Sequence, residues 1–302
     1  MKIALFGIQY SEKSDAYEDQ FYEICKKIRR HEIEVYLPIT FFESLSHSLK
    51  KKIEPFVTLF ENIDSSKVDL AFSIGGDGTF LRTSAAIADH KIPILGINTG
   101  RLGFLADIKY KDLDETLDEI FNRNYRIEMR MLLKTITKKS NKEEDLINYS
   151  LNEVAVLKQD TSAMLTIHAF IDDEYLTSYQ ADGLVVATPT GSTAYSLSIG
   201  GPIMVPTAPN IILTAIAPHS LNTRPLVVDS NSKITLKVES RSSNFLVSLD
   251  GVSQTLNVDS FLEIKKGEYA QPVVKRCGHT FFETLRHKLM WGVDIRSSEI
   301  EK

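Results

Sequence analysis

Cysteine is almost missing from this chain: Cys25 and Cys277 are the two among 302 residues. The pair has no metal-ligand spacing; the alternatives are a single disulfide and, the commoner reading and the one expected here, two buried thiols in a reducing compartment. No apolar run approaches the roughly 18–20 residues that cross a bilayer. No lysine or arginine cluster marks a nucleic-acid footprint. Lys26-Lys27 and Lys50-Lys51-Lys52 fall in helical patterns and read as solvated faces, in a chain of net charge −5. The Gly-x-Gly-x-x-Gly dinucleotide signature and the Walker A lysine loop are both missing. None of the seven histidines sits in a nucleophile context; His168 lies in an apolar strand pattern and His219 beside Pro218, where a packed core role is the commoner one. No internal repeat or low-complexity linker breaks the chain. Residues 2–7 read as a strand rather than a secretory leader. The expectation is a cytoplasmic protein with no nucleic-acid and no membrane partner.

What is present divides into two textures. The hydrophobic content, 43%, is ample for packed cores, and the length suits two domains. Over the first 120 or so residues strands and helices alternate. Strands are predicted at 2–7, 34–37, 68–74 and 93–97, with helices at 15–30, 79–90 and, interrupted by Pro55, 42–60. Near-continuous apolar strands in such alternation predict a parallel sheet covered on both faces, with ligands at the carboxyl ends of its strands. From about Tyr125 the segments become short and β-rich: 127–137, 149–157, 164–171, 211–217, 233–238, 245–249 and 261–265. Turn signals such as Asn141-Lys142, Asp172-Asp173 and Lys266-Gly267 separate them, which predicts an antiparallel sandwich. A closing helix is expected around Phe281, Phe282, Leu285, Leu289 and Met290, packing back on the first domain.

Four segments carry chemistry. Gly75-Gly76-Asp77-Gly78-Thr79 places one carboxylate inside a glycine turn between a strand and a helix. The glycines permit close backbone approach, and the helix N-terminus favours a phosphate there. An acid in such a cradle needs a task, such as accepting a proton or organising a metal ion. Arg82, one turn on, can reach back as a charged fork or be an ordinary solvated arginine. The loop from Asn98 through Arg101 to Leu105 follows a strand in the same way, and is either a second ligand-facing turn or a plain connection. Asn152-Glu153 puts two polar residues where strand alternation expects one; the alternative is an edge pair facing water. The run from Ala187 to Ser196 is the densest group of hydroxyls. It suits ribose, phosphate or amide recognition with Tyr195 as a stacking ring, or serves as a helix cap.

In this order, Gly75–Thr79 with Phe80-Leu81-Arg82, the 98–105 loop, Asn152-Glu153 and Thr188-Pro189-Thr190-Gly191-Ser192-Thr193-Ala194-Tyr195-Ser196 resemble the motifs of NAD kinases, over about residues 70–255. The glycine–aspartate turn alone is shared with lipid kinases and phosphofructokinases; the hydroxyl-rich segment together with the 98–105 loop is far more specific. A lipid kinase would need an apolar pocket that the hydroxyls of 187–198 oppose, and a non-catalytic NAD sensor would have little use for Asp77. The resemblance implies a Rossmann-like parallel sheet in residues 1–124 and a β-rich, sandwich-like NAD-binding domain in 125–275. It also implies a C-terminal helical segment, 276–302, returning to the first domain. It implies transfer of the terminal phosphoryl group of ATP, or of polyphosphate, to the 2′-hydroxyl of the adenosine ribose of NAD, with Mg²⁺ or another divalent ion. Asp77 would be the base, and Gly78 and Arg82 would meet phosphate. Asn152 and Glu153 would hold the adenylate half of NAD. Asp182 and Ala194 would face the nicotinamide half, with Thr193, Tyr195, Ser196, Leu197, Ser198 and Ala217 completing the pocket. The NAD site is expected between the domains and is completed in relatives by a neighbouring subunit, so a homodimer or homotetramer is implied. Gln180 stands where many relatives have a basic residue, which predicts weaker hold on a pyrophosphate.

Overall fold

Short apolar runs closed by glycine, proline or asparagine become the parallel strands of an α/β layer. The computed structural model describes residues 1–8, 15–31, 33–64, 66–100, 102–139, 146–159 and 164–290. Arg101, the 141–142 turn and the end of the C-terminal segment, 291–302, lie outside the described residues. Two units emerge, 1–128 with 271–302, and 129–270.

The first unit contains β1 (Lys2–Gly7), α1 (Asp15–Arg29), β2 (Glu34–Pro38), α2 (Ile39–Glu43), α3 (His47–Ile53), β3 (Val57–Phe60), β4 (Leu70–Gly75), α4 (Asp77–Ile87), β5 (Ile94–Asn98), β6 (Ile108–Lys109) and α5 (Leu113–Phe121). Its strands run parallel in the order β5-β4-β1-β2-β3. β4 and β5 are buried at every position, which is why they read as unbroken apolar runs. The apolar stripe of α1, Tyr17, Phe21, Ile24, Cys25 and Ile28, closes one core with Leu113, Leu117 and Ile120 of α5. Residues 57–60, expected as the end of a helix, instead form β3, a four-residue edge strand paired with β2 from Val35↔Val57 to Pro38↔Phe60. Pro55 ends the helical stretch in a short 3₁₀ turn, and the chain leaves it extended.

The second unit is built from β7 (Tyr125–Lys139), β8 (Leu146–Ser150), β9 (Glu153–Lys158), β10 (Leu165–Ile171), β11 (Glu174–Ala181), β12 (Gly183–Ala187), α6 (Tyr195–Ser198), β13 (Asn210–Ile216), β14 (Leu226–Asp229), β15 (Ile234–Glu239), β16 (Asn244–Leu249), β17 (Val252–Asn257) and β18 (Ser260–Arg276). One antiparallel sheet has the order β14-β13-β12-β9-β16-β17, and a second set runs β11-β10-β15-β18 with β7 and β8 beside it. Their facing residues share one core, Val154, Leu184 and Phe245 against Ile167, Leu236 and Leu262, the sandwich that the alternation predicted. β12 is apolar throughout because both its faces are covered. Leu184 and Val186 face that core, whereas Val185 and Ala187 pack under Ile199 and Met204.

β7 and β18 each carry the chain from one unit into the other. Past residue 270, Val273 pairs with Ile94 of β5, Lys275 forms a buried ion pair with Asp107, and Arg276 forks onto Glu119 at 2.7 and 3.0 Å. Then α7 (Phe281–Leu289) follows, capped by Thr280, whose hydroxyl accepts the Glu283 N–H at 3.2 Å. Cys25 is buried as expected, but Cys277 is exposed, at the turn that separates β18 from α7.

Candidate active site

In the first unit the glycine turn closes β4 and α4 starts at Asp77, with Gly76 as its extended N-cap. The amides of Asp77 and Gly78 open that helix ahead of its first internal bonds, the arrangement that receives an anion. Asp77 does not point idly at solvent. Its Oδ2 accepts the Phe104 N–H at 2.9 Å, and its Oδ1 accepts those of Leu105 and Ala106 at 3.0 and 2.9 Å. Gly103 makes this possible, since a Cβ there would sit 1.8 Å from Oδ1. The 98–105 loop is therefore a partner of the glycine turn and not a plain connection. Lys288 of α7 brings its ammonium to 3.6 Å from Oδ2 while lying 4.7 Å from the centre of the Phe104 ring. Arg82, exposed, leans back on Thr79 with a 3.3 Å bond to Oγ1.

In the second unit the chain does not run straight through 149–157. It bends at Leu151-Asn152 between β8 and β9, which explains two adjacent polar residues. Neither faces water as an edge pair would: Asn152 is buried and Glu153 nearly so. The bend is held by Asp250, whose carboxylate accepts the N–H groups of Leu151, Asn152 and Glu153 at 2.6, 2.8 and 3.1 Å. From the other side the Thr188 hydroxyl donates to the Leu151 carbonyl at 2.6 Å and accepts the Gly191 N–H at 3.0 Å. Gly191 lies flat on the Asn152 backbone, where a Cβ would meet its carbonyl oxygen at 2.1 Å. Glu153 accepts the Tyr195 N–H, but burial first and the Asp250 carboxylate second push its pKa up to about 7. Burial likewise raises Asp250, against the pull of its three N–H donors. Among the described residues, Asn152 Oδ1 and Glu153 Oε2 are buried and have no hydrogen-bond partner.

The remaining expected residues divide between two places. Thr193, Ala194, Tyr195, Ser196, Leu197 and Ser198 form a 3₁₀ turn and α6 over β12, tied down by Ser192, whose hydroxyl donates to the Pro189 carbonyl at 2.6 Å and accepts the Met204 N–H at 3.0 Å. Tyr195 is partly exposed, and Ser196 is buried 3.5 Å from the Thr214 hydroxyl. Asp182 and Ala217 instead sit at the start of β12 and just past the end of β13, with Gly183 paired to Ile216. Glu153 pairs with Ala187 at the far end of β12, about 15 Å away along a five-residue strand. Lys158 holds Asp182 at 2.6 Å, Ala217 adopts φ 44°, and the Gln180 carbonyl accepts the His219 N–H at 2.8 Å. His168 is no core residue: it bonds Ser178 at 2.7 Å and reaches Glu239 at 3.1 Å. Asp250 and Lys288 were not singled out by sequence; the Asp250-Gly251 pair reads as a hairpin turn and α7 as a plain amphipathic helix.

Comparison with known proteins fits this geometry. Residues 15–125 match the family described as the ATP-NAD kinase N-terminal domain, and residues 151–276 the ATP-NAD kinase C-terminal domain. The chain is 45% identical over 296 residues to an NAD kinase of Bacteroides fragilis, covering 98% of this chain and 100% of that one. It is 41% identical over 299 residues to an NAD kinase of Christiangramia forsetii, again over 98% and 100%. Among solved structures, an NAD kinase from Archaeoglobus fulgidus in complex with ATP superposes with a TM-score of 0.72 at 26% identity, covering 96% and 99% of the two chains. Yeast NADH kinase complexed with NADH shares the fold, with a TM-score of 0.86 at 24% identity over 99% and 90%. With both domain families matched in order and relatives above 40% identity spanning nearly every residue, the chain belongs to the ATP-NAD kinase family.

Proposed function

We infer that this chain is an NAD kinase that moves the terminal phosphoryl group of ATP to the 2′-hydroxyl of the adenosine ribose of NAD, giving NADP and ADP. The observation that carries the reading is the Asp77 carboxylate, fixed at a helix N-terminus by three backbone N–H groups. A carboxylate offers about four acceptor positions. Oδ1 uses two and Oδ2 one, which leaves one place on Oδ2 for the ribose hydroxyl. Asp77 takes that proton as the oxygen bonds to phosphorus and the bond to the ADP oxygen breaks. A carboxylate is a weak base for an alkanol, so the proton moves late. Positioning and charge neutralisation carry most of a loose phosphoryl transfer. The amides of Gly78 and its neighbours, with Arg82 and Lys288, supply positive potential for the phosphate oxygens.

Asn152 Oδ1 and Glu153 Oε2, buried without partners among the described residues, suit the amino group and ring nitrogens of the adenine. With its proton held near neutral pH, Glu153 can donate as well as accept. Among the described residues no group of three Asp, Glu, His or Cys side chains could hold a metal ion. A divalent ion such as Mg²⁺, arriving with ATP, would neutralise phosphate charge during the transfer. Placing Asp182 and Ala217 at the opposite end of β12 from Glu153 supports a homodimer or homotetramer in which one copy's Asp182 end serves another copy's nicotinamide pocket. Among the described residues no helix is long and apolar enough to cross a membrane, and we assign the enzyme to the cytoplasm. Incubation with ATP, Mg²⁺ and NAD, coupled to an NADP-specific dehydrogenase, tests the reading; no NADP above a heat-killed control rejects it. Light scattering on the eluting peak tests the assembly, and a monomer at working concentration rejects it.

A further inference from the structure

An ammonium and a carboxylate that leave water together lose hydration that their attraction often fails to repay. Two apolar side chains of similar shape stabilise a core as well or better. The first unit keeps such a pair nonetheless: Lys275 of β18 donates to Asp107 Oδ2, and each residue is 6% exposed. Its place in the chain gives the pair a use. Asp107 directly follows Ala106, whose N–H is held by Asp77 Oδ1 at 2.9 Å, and the two residues before supply the other amides of that grip. We propose that Lys275 is a positioning residue for the phosphoryl transfer: through Asp107 it fixes the 104–106 amides and so aims the Asp77 carboxylate. The proposal rests on the kinase reading for its chemistry, not for its geometry.

Three features support this role. First, the loop rests on β5 without being pulled toward it. Gly96 lies beneath, where a Cβ would meet the Leu105 carbonyl oxygen at 2.6 Å and the Ala106 Cα at 2.7 Å. Such a floor limits approach and exerts no attraction; strand pairing resumes only at Ile97↔Ile108, past the loop. Second, Lys275 is a fixed point. Val273 pairs with Ile94, Val274 is buried in the core and Arg276 forks onto Glu119, so both its neighbours are held. Third, the other cation near Asp107 does not replace it. The His279 Nε2 stands 3.9 Å from the same Oδ2, too far for a hydrogen bond, and lies 3.3 Å from the Thr284 hydroxyl instead. Lys275 touches no reacting atom. Its effect passes through one peptide bond to the Ala106 amide, and a carboxylate displaced by about 1 Å costs about 10² in rate.

Lys275→Met and Asp107→Leu keep the stem of one side chain and the branching of the other without their charges. In the full chain each single variant is expected to lower kcat about tenfold or more, with the KM for ATP and for NAD within about twofold of wild type. Each should also melt lower, because one ion is left buried alone. The double variant separates aiming from stability. It buries no charge, so its melting temperature recovers toward wild type, while kcat stays down about tenfold or more. Recovery of kcat to within about twofold of wild type along with the melting temperature overturns the proposal, since the pair then only stabilises. Hydrogen exchange at the Phe104, Leu105 and Ala106 amides reads the clamp directly and needs no activity. In Lys275→Met these three should exchange about tenfold faster. The amides of Leu151, Asn152 and Glu153, held by Asp250 in the other unit, should exchange as in wild type. Unchanged protection at 104–106, or equal loosening of both sets, overturns the proposal. A wild-type chain that forms no NADP defeats the kinase reading alone, and the exchange result then decides whether Lys275 sets the clamp on Asp77.

Discussion

Each unit contains one aspartate that grips three successive backbone N–H groups from a distant part of its own unit, and the two grips serve opposite ends. Asp77 takes those of Phe104, Leu105 and Ala106, and Asp250 those of Leu151, Asn152 and Glu153. In the first unit the aspartate, about a third exposed, is the group proposed to act on substrate, and the loop is the clamp. In the second the aspartate is the buried clamp, and the clamped segment carries the groups proposed to hold the adenine. One carboxylate with three amides can thus fix either a side chain or a piece of backbone. What distinguishes the cases is which partner keeps an unused hydrogen-bonding position: Asp77 Oδ2 in one, Asn152 Oδ1 and Glu153 Oε2 in the other.

The largest effect is expected where the aspartate itself does chemistry. Asp77→Asn should lower kcat by about 10²–10⁴-fold while leaving the KM for NAD nearly unchanged, since the proton acceptor acts in the transition state. Loss of NAD binding with kcat kept would reduce Asp77 to a second structural clamp. Next comes Gly103→Ala, whose Cβ would overlap Oδ1. Displacing the carboxylate by about 1 Å should cost about 10² in kcat with folding intact, and an active Gly103→Ala enzyme would mean that the clamp leaves Asp77 free to wander.

Asp250→Ala should reverse the pattern. The KM for NAD rises about tenfold with a smaller change in kcat, and stability falls by about 3 kcal/mol because three amides lose their acceptor; calorimetric unfolding and steady-state kinetics check the two halves. The last effect is one of pH and leaves kinetics aside. Glu153 has a folded pKa of about 7, raised from 4.5. Between those values the folded chain keeps a proton that the unfolded chain has released, so its contribution to stability is complete below pH 4.5 and is lost as pH rises through 7. Glu153→Gln should therefore melt above wild type at pH 8, by up to about 3 kcal/mol of stability, with the gap shrinking toward pH 5. A gap that does not change with pH would remove the buried acid from this account.

The sequence made β4, β5 and the Gly75–Thr79 turn plain because burial on both faces leaves unbroken apolar runs and tight turns demand glycine. It hid β3, β11, β14 and β17, which are exposed or half-exposed along much of their length and alternate weakly. At the site, Asp77 stood out as an acid inside a glycine turn, and Asn152 and Glu153 as two polar residues where strand alternation expects one. Asp250 did not, because its work is done on main-chain N–H groups, which no side-chain pattern records. Lys288 was equally silent, being one lysine on an amphipathic helix until that helix is seen beside Phe104.

The crossing of the chain between units sets an order of assembly. Residues 129–270 are made before Val273 can line up beside β5, before Lys275 can pair with Asp107, and before α7 can bring Lys288 to Asp77. At about 5–20 residues per second this interval is on the order of ten seconds on the ribosome. During it the nascent first unit has its parallel strands but neither the ion pair nor the final helix. The Asp77 carboxylate of a growing chain therefore lacks its Lys288 neighbour until α7 emerges, so a product truncated near residue 270 would carry every motif of the 70–255 stretch and still lack that contact.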